Sequence, residues 1–130
     1  MNREILFRGQ KASTKEWIEG SLIINKAGNH VITQVIENPV HLGTLNGWCF
    51  AVIPETIGQY TELEDRGGIK FFEGDVIGRI GFLHRIIVYH KNGFYTYSIN
   101  NPERLFPLSL DEYDFVIGNL HDNPELLKGE

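Results

Sequence analysis

The stretch FLHRIIVYHKNGFYTYSI, residues 82–99, reads as two β-strands folded back on each other. Phe82 to Tyr89 and Phe94 to Ile99 are rich in β-branched and aromatic residues. Between them Lys91-Asn92-Gly93 predicts a tight hairpin, because Asn-Gly accepts the positive φ angles of a type I′ turn. Towards the N-terminus, Val76 to Ile80 predicts another strand, set off from Phe82 by Gly81. Towards the C-terminus, Asn100-Asn101-Pro102 ends the hairpin. After a polar turn at Asp111 to Asp114, Phe115 to Gly118 makes the last strand. Asn123 then caps a brief helix with Pro124 at its first position.

The N-terminal half follows the same period. Ile5 and Phe7 share one face of a strand that Gly9 ends. In EWIEGSLIIN, Ile18, Leu22 and Ile24 oppose Trp17 and Ile23; a turn at Lys26-Ala27-Gly28-Asn29 leads to a return strand from His30 to Ile36. Asn38-Pro39 opens a loop that runs to Gly47, and Trp48 to Ile53 is a short strand closed by Pro54. From Pro54 to Gly68 the chain reads as a connection with acidic clusters and one helical turn at most. No segment sustains a 3.6-residue period over an ordinary helix length, which sets aside the α/β nucleotide-binding folds. The fold expected is therefore mainly β, built from small antiparallel hairpins with an SH3-like barrel in the C-terminal half and minimal helix. It forms a single domain over 1–130, with a subdivision into an N-terminal β part, 1–60, and the barrel, 69–130, as an open alternative.

Composition narrows the function classes. The 130 residues are 42% hydrophobic and 22% charged, the balance of an ordered domain with one modest core. The net charge of −5 and the scatter of the basic residues disfavour a phosphate-tracking surface, so nucleic acid is a disfavoured partner. Cys49 is the only cysteine, which excludes an intrachain disulfide and predicts an inert, buried thiol in an apolar strand. The N-terminus lacks the apolar run of a secretory signal, and no stretch is long enough for a membrane span. A cytoplasmic setting, with no membrane partner, is the expectation.

The search for chemistry returns little. In FFEGDVI, residues 71–77, Glu73 and Asp75 flank a glycine between two apolar runs. On an extended backbone the two carboxylates point to one side, where like charges can raise a pKa and supply a general acid. The structural reading outweighs it: Gly74 relaxes a bend, Asp75 accepts from a nearby amide, and the next strand begins. Of the five histidines only His84 and His90 can share a strand face, and six residues of strand hold them about 20 Å apart, too far for one metal ion. His41 with Cys49 has no ligand motif behind it. No nucleophile elbow, P-loop or dinucleotide fingerprint is present. No catalytic residue, metal or cofactor is expected. The aromatic residues around the hairpin are the remaining feature: alternation sets Phe94 and Thr96 against Tyr95 and Tyr97, and an exposed face could stack bases or pack against another protein. Glu73, Asp75, Tyr95 and Tyr97 are the binding-surface candidates.

Three stretches carry a resemblance. REILFRGQ followed by Glu16-Trp17-Ile18-x-Gly20, the run Ile53-Pro54-Glu55-Thr56-Ile57-Gly58-Gln59-Tyr60-Thr61 leading to FFEGDVI, and Val116-Ile117-Gly118-Asn119-Leu120-His121-Asp122-Asn123-Pro124-Glu125-Leu126 resemble, in order, the YopX family of small proteins encoded by bacteriophages and prophages. The chain departs from that pattern at Thr61-Glu62, where the family commonly has Thr-Gly, and at Arg66-Gly67-Gly68-Ile69, where Lys-Asn-Gly is typical. The resemblance implies a mostly β fold, a phage or prophage origin and no catalytic residues to carry over.

The function expected is that of a non-enzymatic accessory protein acting through protein–protein contact with an unknown partner. Copies of itself are included, because a small β domain must cover its edge strands and pairing between subunits covers them. The alternative is a small nucleic-acid-binding barrel that uses the aromatic hairpin with Arg79, Arg85 and Lys91.

Overall fold

A computed structural model describes residues 4–34 and 49–128. They form antiparallel strands throughout, and the chain divides into two compact units, Met1–Gln59 and Tyr60–Glu130.

The first unit holds β1 (Phe7–Gln10), β2 (Trp17–Ile24), β3 (His30–Thr33) and β4 (Cys49–Ala51), followed by a 3-10 turn at Pro54–Thr56 and the start of β5 (Gly58–Glu64). Their order across the sheet is β4-β3-β2-β1-β5. The β2–β3 hairpin sits where the sequence places it: Asn25 Oδ1 accepts the amides of Ala27 and Asn29 at 3.0 and 2.9 Å, and Gly28 takes φ 88. Ile18, Ile32 and Val52 form its core, with Phe7, Leu22, Phe50 and Ile57 packed against them. Strand β3 ends at Thr33; Val35, Ile36, the loop expected from Asn38 to Gly47, His41 and Trp48 lie outside the described residues. The aromatic strand is shorter than expected, since Val52 only bridges to Lys11 and Pro54 opens the helical turn.

The segment expected to be a connection is a strand. β5 pairs with β1 through Gly58 and Gln59, and in the second unit its Tyr60 and Glu64 pair with β6 (Lys70–Phe72). Its polar, acidic sequence hid it, because among Gly58–Glu64 only Gly58 and Tyr60 are buried. The pairing is irregular between Tyr60 and Glu64, where Glu62 takes φ 72. Asp65 then folds the chain back, its Oδ1 accepting the amides of Gly67 and Ile69 at 2.9 and 3.0 Å.

The second unit continues with β7 (Asp75–Gly78), β8 (Arg85–His90), β9 (Gly93–Ser98), β10 (Asn101–Pro107) and β11 (Phe115–Asn119), in the order β10-β9-β8-β7-β11. Phe71, Ile77 and Ile87 are its core, with Phe94, Leu108, Leu110 and Val116 around them. Several expectations are revised here. The sheet does not close into a barrel. β7 stops at Gly78 and β8 starts at Arg85, so Phe82, Leu83 and His84 belong to the connection; His84 and His90 share no strand. The hairpin turn centres on Lys91-Asn92, because Gly93 is already paired with His90, and Lys91 carries the positive φ, at 59. β9 ends at Ser98, ahead of Asn100-Asn101-Pro102 as expected, but the sheet continues, since β10 begins at Asn101. The closing helix is a 3-10 turn, Pro124–Leu127, with Asn123 at its N-cap position and Pro124 first as expected, but the Asn123 side chain does not cap it; its Oδ1 accepts the Asn119 amide instead, at 3.2 Å.

Candidate functional site

FFEGDVI is a turn. Gly74 takes φ 93, a left-handed conformation that a side chain would strain, so the backbone is not extended between the two carboxylates. Its amide donates to the Ile87 carbonyl at 2.8 Å and its carbonyl accepts from Leu120 at 2.9 Å. Asp75 is 1% exposed, and its Oδ2 accepts the Phe72 amide at 2.7 Å, closing the turn. Glu73 is half-buried beside it.

Tyr95 and Tyr97 are half-buried on one face of β9, opposite Val88 and Ile86 in register. Tyr95 meets the edge of the His90 ring at 6.1 Å. Phe94 and Thr96 point the other way, Phe94 into the core and Thr96 buried. The four candidates thus divide between a buried turn and a half-covered strand face; no single surface gathers them. Two of the cations named with the hairpin are paired: Arg79 Nη1 lies 2.7 Å from Asp111 Oδ2 and Arg85 Nη2 lies 2.5 Å from Asp114 Oδ1. Cys49 is exposed rather than buried, with Sγ 3.4 Å from Thr33 Oγ1, because β4 presents that face outward. Among the described residues no three His, Cys, Asp or Glu side chains are grouped to hold a metal ion. No helix among them is long and apolar enough to cross a membrane.

The feature the structure adds lies between the ends of β7 and β11. A cavity of about 610 Å³ is lined by Gly78, Arg79, Ile80, Phe82, His84, Tyr113, Phe115 and Ile117. Its floor follows from a bulge: Phe115 pairs with Gly78 and Val116 with Ile77, but Gly118 pairs with Val76, leaving Ile117 as the extra residue. Ile117 lies over Gly78 so closely that a Cβ there would stand 2.6 Å from its Cγ2. Its lip is the turn Arg79 to Phe82, closed by the Phe82 amide on the Arg79 carbonyl at 3.0 Å, with Gly81 at φ 85. That geometry throws Ile80 wholly into solvent, at 100% exposure, and leaves Phe82 63% exposed. Tyr113, Phe115 and Ile117 are also exposed, and Leu83 and Phe106 extend the apolar surface on the far side of Phe82.

Charge sits at the rim. The Arg79 guanidinium lies 4.7 Å from the Phe82 ring centroid and 5.5 Å from that of Tyr113, a double cation–π contact, while it pairs with Asp111. The Tyr113 amide, which donates to Asp111 Oδ1 at 2.8 Å, holds the Asp111 carboxyl below its ordinary range; Arg79 and Arg85 add to the effect against a desolvation that opposes it. His84 also lines the cavity, with Nδ1 3.2 Å from the Leu126 carbonyl oxygen. The sequence hid this site because Ile80, Phe82, Phe115 and Ile117 read as core positions of strands.

Both edges of the second sheet are blunted. On β10, Pro102 and Pro107 have no amide to offer a further strand. On β11, the Val116 amide donates to Asp65 Oδ2 at 3.4 Å and the Asn119 amide to Asn123 Oδ1.

The sequence pattern of the family described as YopX protein matches residues 6–128. No curated protein matches the chain. Among solved structures, that of protein EF1440 from Enterococcus faecalis is similar, with 22% identity over 96% of this chain and 99% of that one and a TM-score of 0.56, a likeness of fold.

Proposed function

Because the chain belongs to the YopX family, we propose that it is a non-enzymatic accessory protein of phage or prophage origin, working in the bacterial cytoplasm by binding protein, copies of itself included. The observation that carries the reading is the fully exposed Ile80 beside Phe82, Tyr113, Phe115 and Ile117 around one cavity. Scattered exposed apolar residues need no explanation, but a contiguous group rimming a concavity is the signature of an interaction surface. The second unit fits an opened SH3-like barrel: β7 to β10 run as a meander and β11 returns beside β7. With both edges of the second sheet blunted, association through this unit runs through side chains rather than through added strands.

The test is light scattering on the purified chain and on Ile80→Asp and Phe82→Ser, together with a pull-down from cells carrying the induced prophage, with and without nuclease. Assemblies of the native chain that the two variants lose, or a nuclease-resistant protein partner that they lose, support the reading. A strict monomer at high concentration whose only captures vanish with nuclease overturns it and favours nucleic acid.

A further inference from the structure

The C-terminal turn sits in a notch that one glycine makes for it. Gly118 lies in β11 without a left-handed φ, so close approach, not backbone conformation, asks for glycine there. A Cβ at that position would stand 2.5 Å from Asn123 Oδ1 and 2.8 Å from Leu126 Cδ1, the far ends of two side chains of the turn. The turn is otherwise lightly held. No residue of Pro124–Leu127 is buried, and among the described residues the one hydrogen bond that 124–128 make outside the tail runs from His84 Nδ1 to the Leu126 carbonyl oxygen. The link back to the sheet is local. The Leu120 amide is fixed on the Gly74 carbonyl at 2.9 Å, and beyond it the chain turns on itself: Asn119 Oδ1 accepts the amides of His121 and Asp122, each at 2.9 Å, and the Asn119 carbonyl accepts that of Asn123 at 3.0 Å.

Such a segment can leave its own notch and fill that of a neighbour. The Asn119 Oδ1 bonds of the link are exposed and exchange for water at small net cost, and once straightened the link from Leu120 to Asn123 reaches roughly 13 Å. The side chains that fit the Gly118 notch are the ones seated there, Asn123 and Leu126, and a second copy of the chain carries the same two. We infer that copies of this protein associate by exchanging their C-terminal turns, Leu126 of one entering the Gly118 notch of the other, with two such exchanges closing a dimer about a two-fold axis. The contacts of the turn are kept between copies, so the exchanged and closed forms differ only in the link and in the cost of association, and concentration sets their balance. No free sheet edge is needed. The inference rests on the self-association in the proposed function and gives it a second surface, which meets the cavity at His84.

The experiment is light scattering over a wide range of concentration on the native chain, on full-length Gly118→Ala and Leu126→Asp, and on an equal mixture of the two variants. The native chain should pass from the mass of one chain towards that of two as concentration rises. Gly118→Ala fills the notch and Leu126→Asp spoils the turn that enters it, so each alone should need roughly tenfold higher concentration or more to associate, the worth of one lost apolar contact. The mixture should recover part of the association, because the intact turn of the first variant still finds the intact notch of the second. A peptide of residues 119–128 should also shift the Gly118 amide of Leu126→Asp in an NMR titration, which covers the case in which Gly118→Ala fails to fold. A native chain that stays monomeric throughout, variants that associate as the native chain does, or a mixture that associates no better than its parts overturns the inference. If the two tail variants associate normally while Ile80→Asp and Phe82→Ser do not, the exchange falls and the protein-binding reading of the cavity stands; with the opposite pattern the exchange stands and that reading of the cavity falls.

Discussion

Asp111 is a surface carboxylate with an unusual share of partners. Tyr113 donates to it from the backbone and Arg79 from the side, and its pKa is lowered from the ordinary 3.8. A carboxyl depressed by folding contributes stability that is present above its unfolded value and is lost as the pH falls through its folded value, so the loss belongs to the acid limb below about 3.8. Carboxyl-detected NMR should find Asp111 titrating below that value, and in Arg79→Gln the midpoint should rise only part of the way, because the Tyr113 amide is the larger cause. A variant titrating at or above the ordinary value would contradict this. Asp75 is a different kind of residue, since its carboxylate is buried and closes the β6–β7 turn on the Phe72 amide. Asp75→Ala leaves that buried amide without its acceptor and should lower stability in urea by about 1–3 kcal/mol. An unchanged midpoint would mean that the turn holds itself. Glu73-Gly74-Asp75 was legible as a turn from its glycine alone; that its second carboxylate is interior was not, because burial of a charged residue depends on the amides folded around it.

At the scale of the element, period-two alternation found β2, β3, β8, β9 and β11, whose apolar residues announce a covered face. It failed at β5 and β10, where the strand carries Gln59, Glu62 and Glu64 or Glu103 and Arg104 and little of it is buried. Backbone pairing, unlike burial, leaves no pattern in the side chains. The same limit hid the Arg79 to Phe82 turn: an exposed isoleucine and a core isoleucine are the same letter. The irregular stretch of β5 offers a test. Glu62 holds φ 72, a left-handed conformation that favours glycine, so Glu62→Gly should relieve strain and raise stability by about 0.5–1 kcal/mol, read as a higher urea midpoint at constant slope. A lowered midpoint would show that the Glu62 side chain contributes more than its backbone conformation costs.

For the whole molecule, an apolar surface in a chain of net charge −5 predicts how association responds to solvent. Contacts through Ile80 and Phe82 should persist from low to moderate sodium chloride and strengthen in ammonium sulfate, as light scattering will show. Binding that weakens steeply with salt would instead point to phosphate contacts. The Arg79 to Phe82 turn has one more consequence. It is closed by a single backbone bond and a glycine, and its Ile80 side chain touches nothing that the core needs. Substitutions at its tip should therefore leave the frame intact while, on the proposed reading of this surface, redrawing what it binds. This is the condition under which a lineage can change partners quickly, and under which a library randomised at Ile80 and Phe82 can be selected for new ones, as the loops of an antibody are.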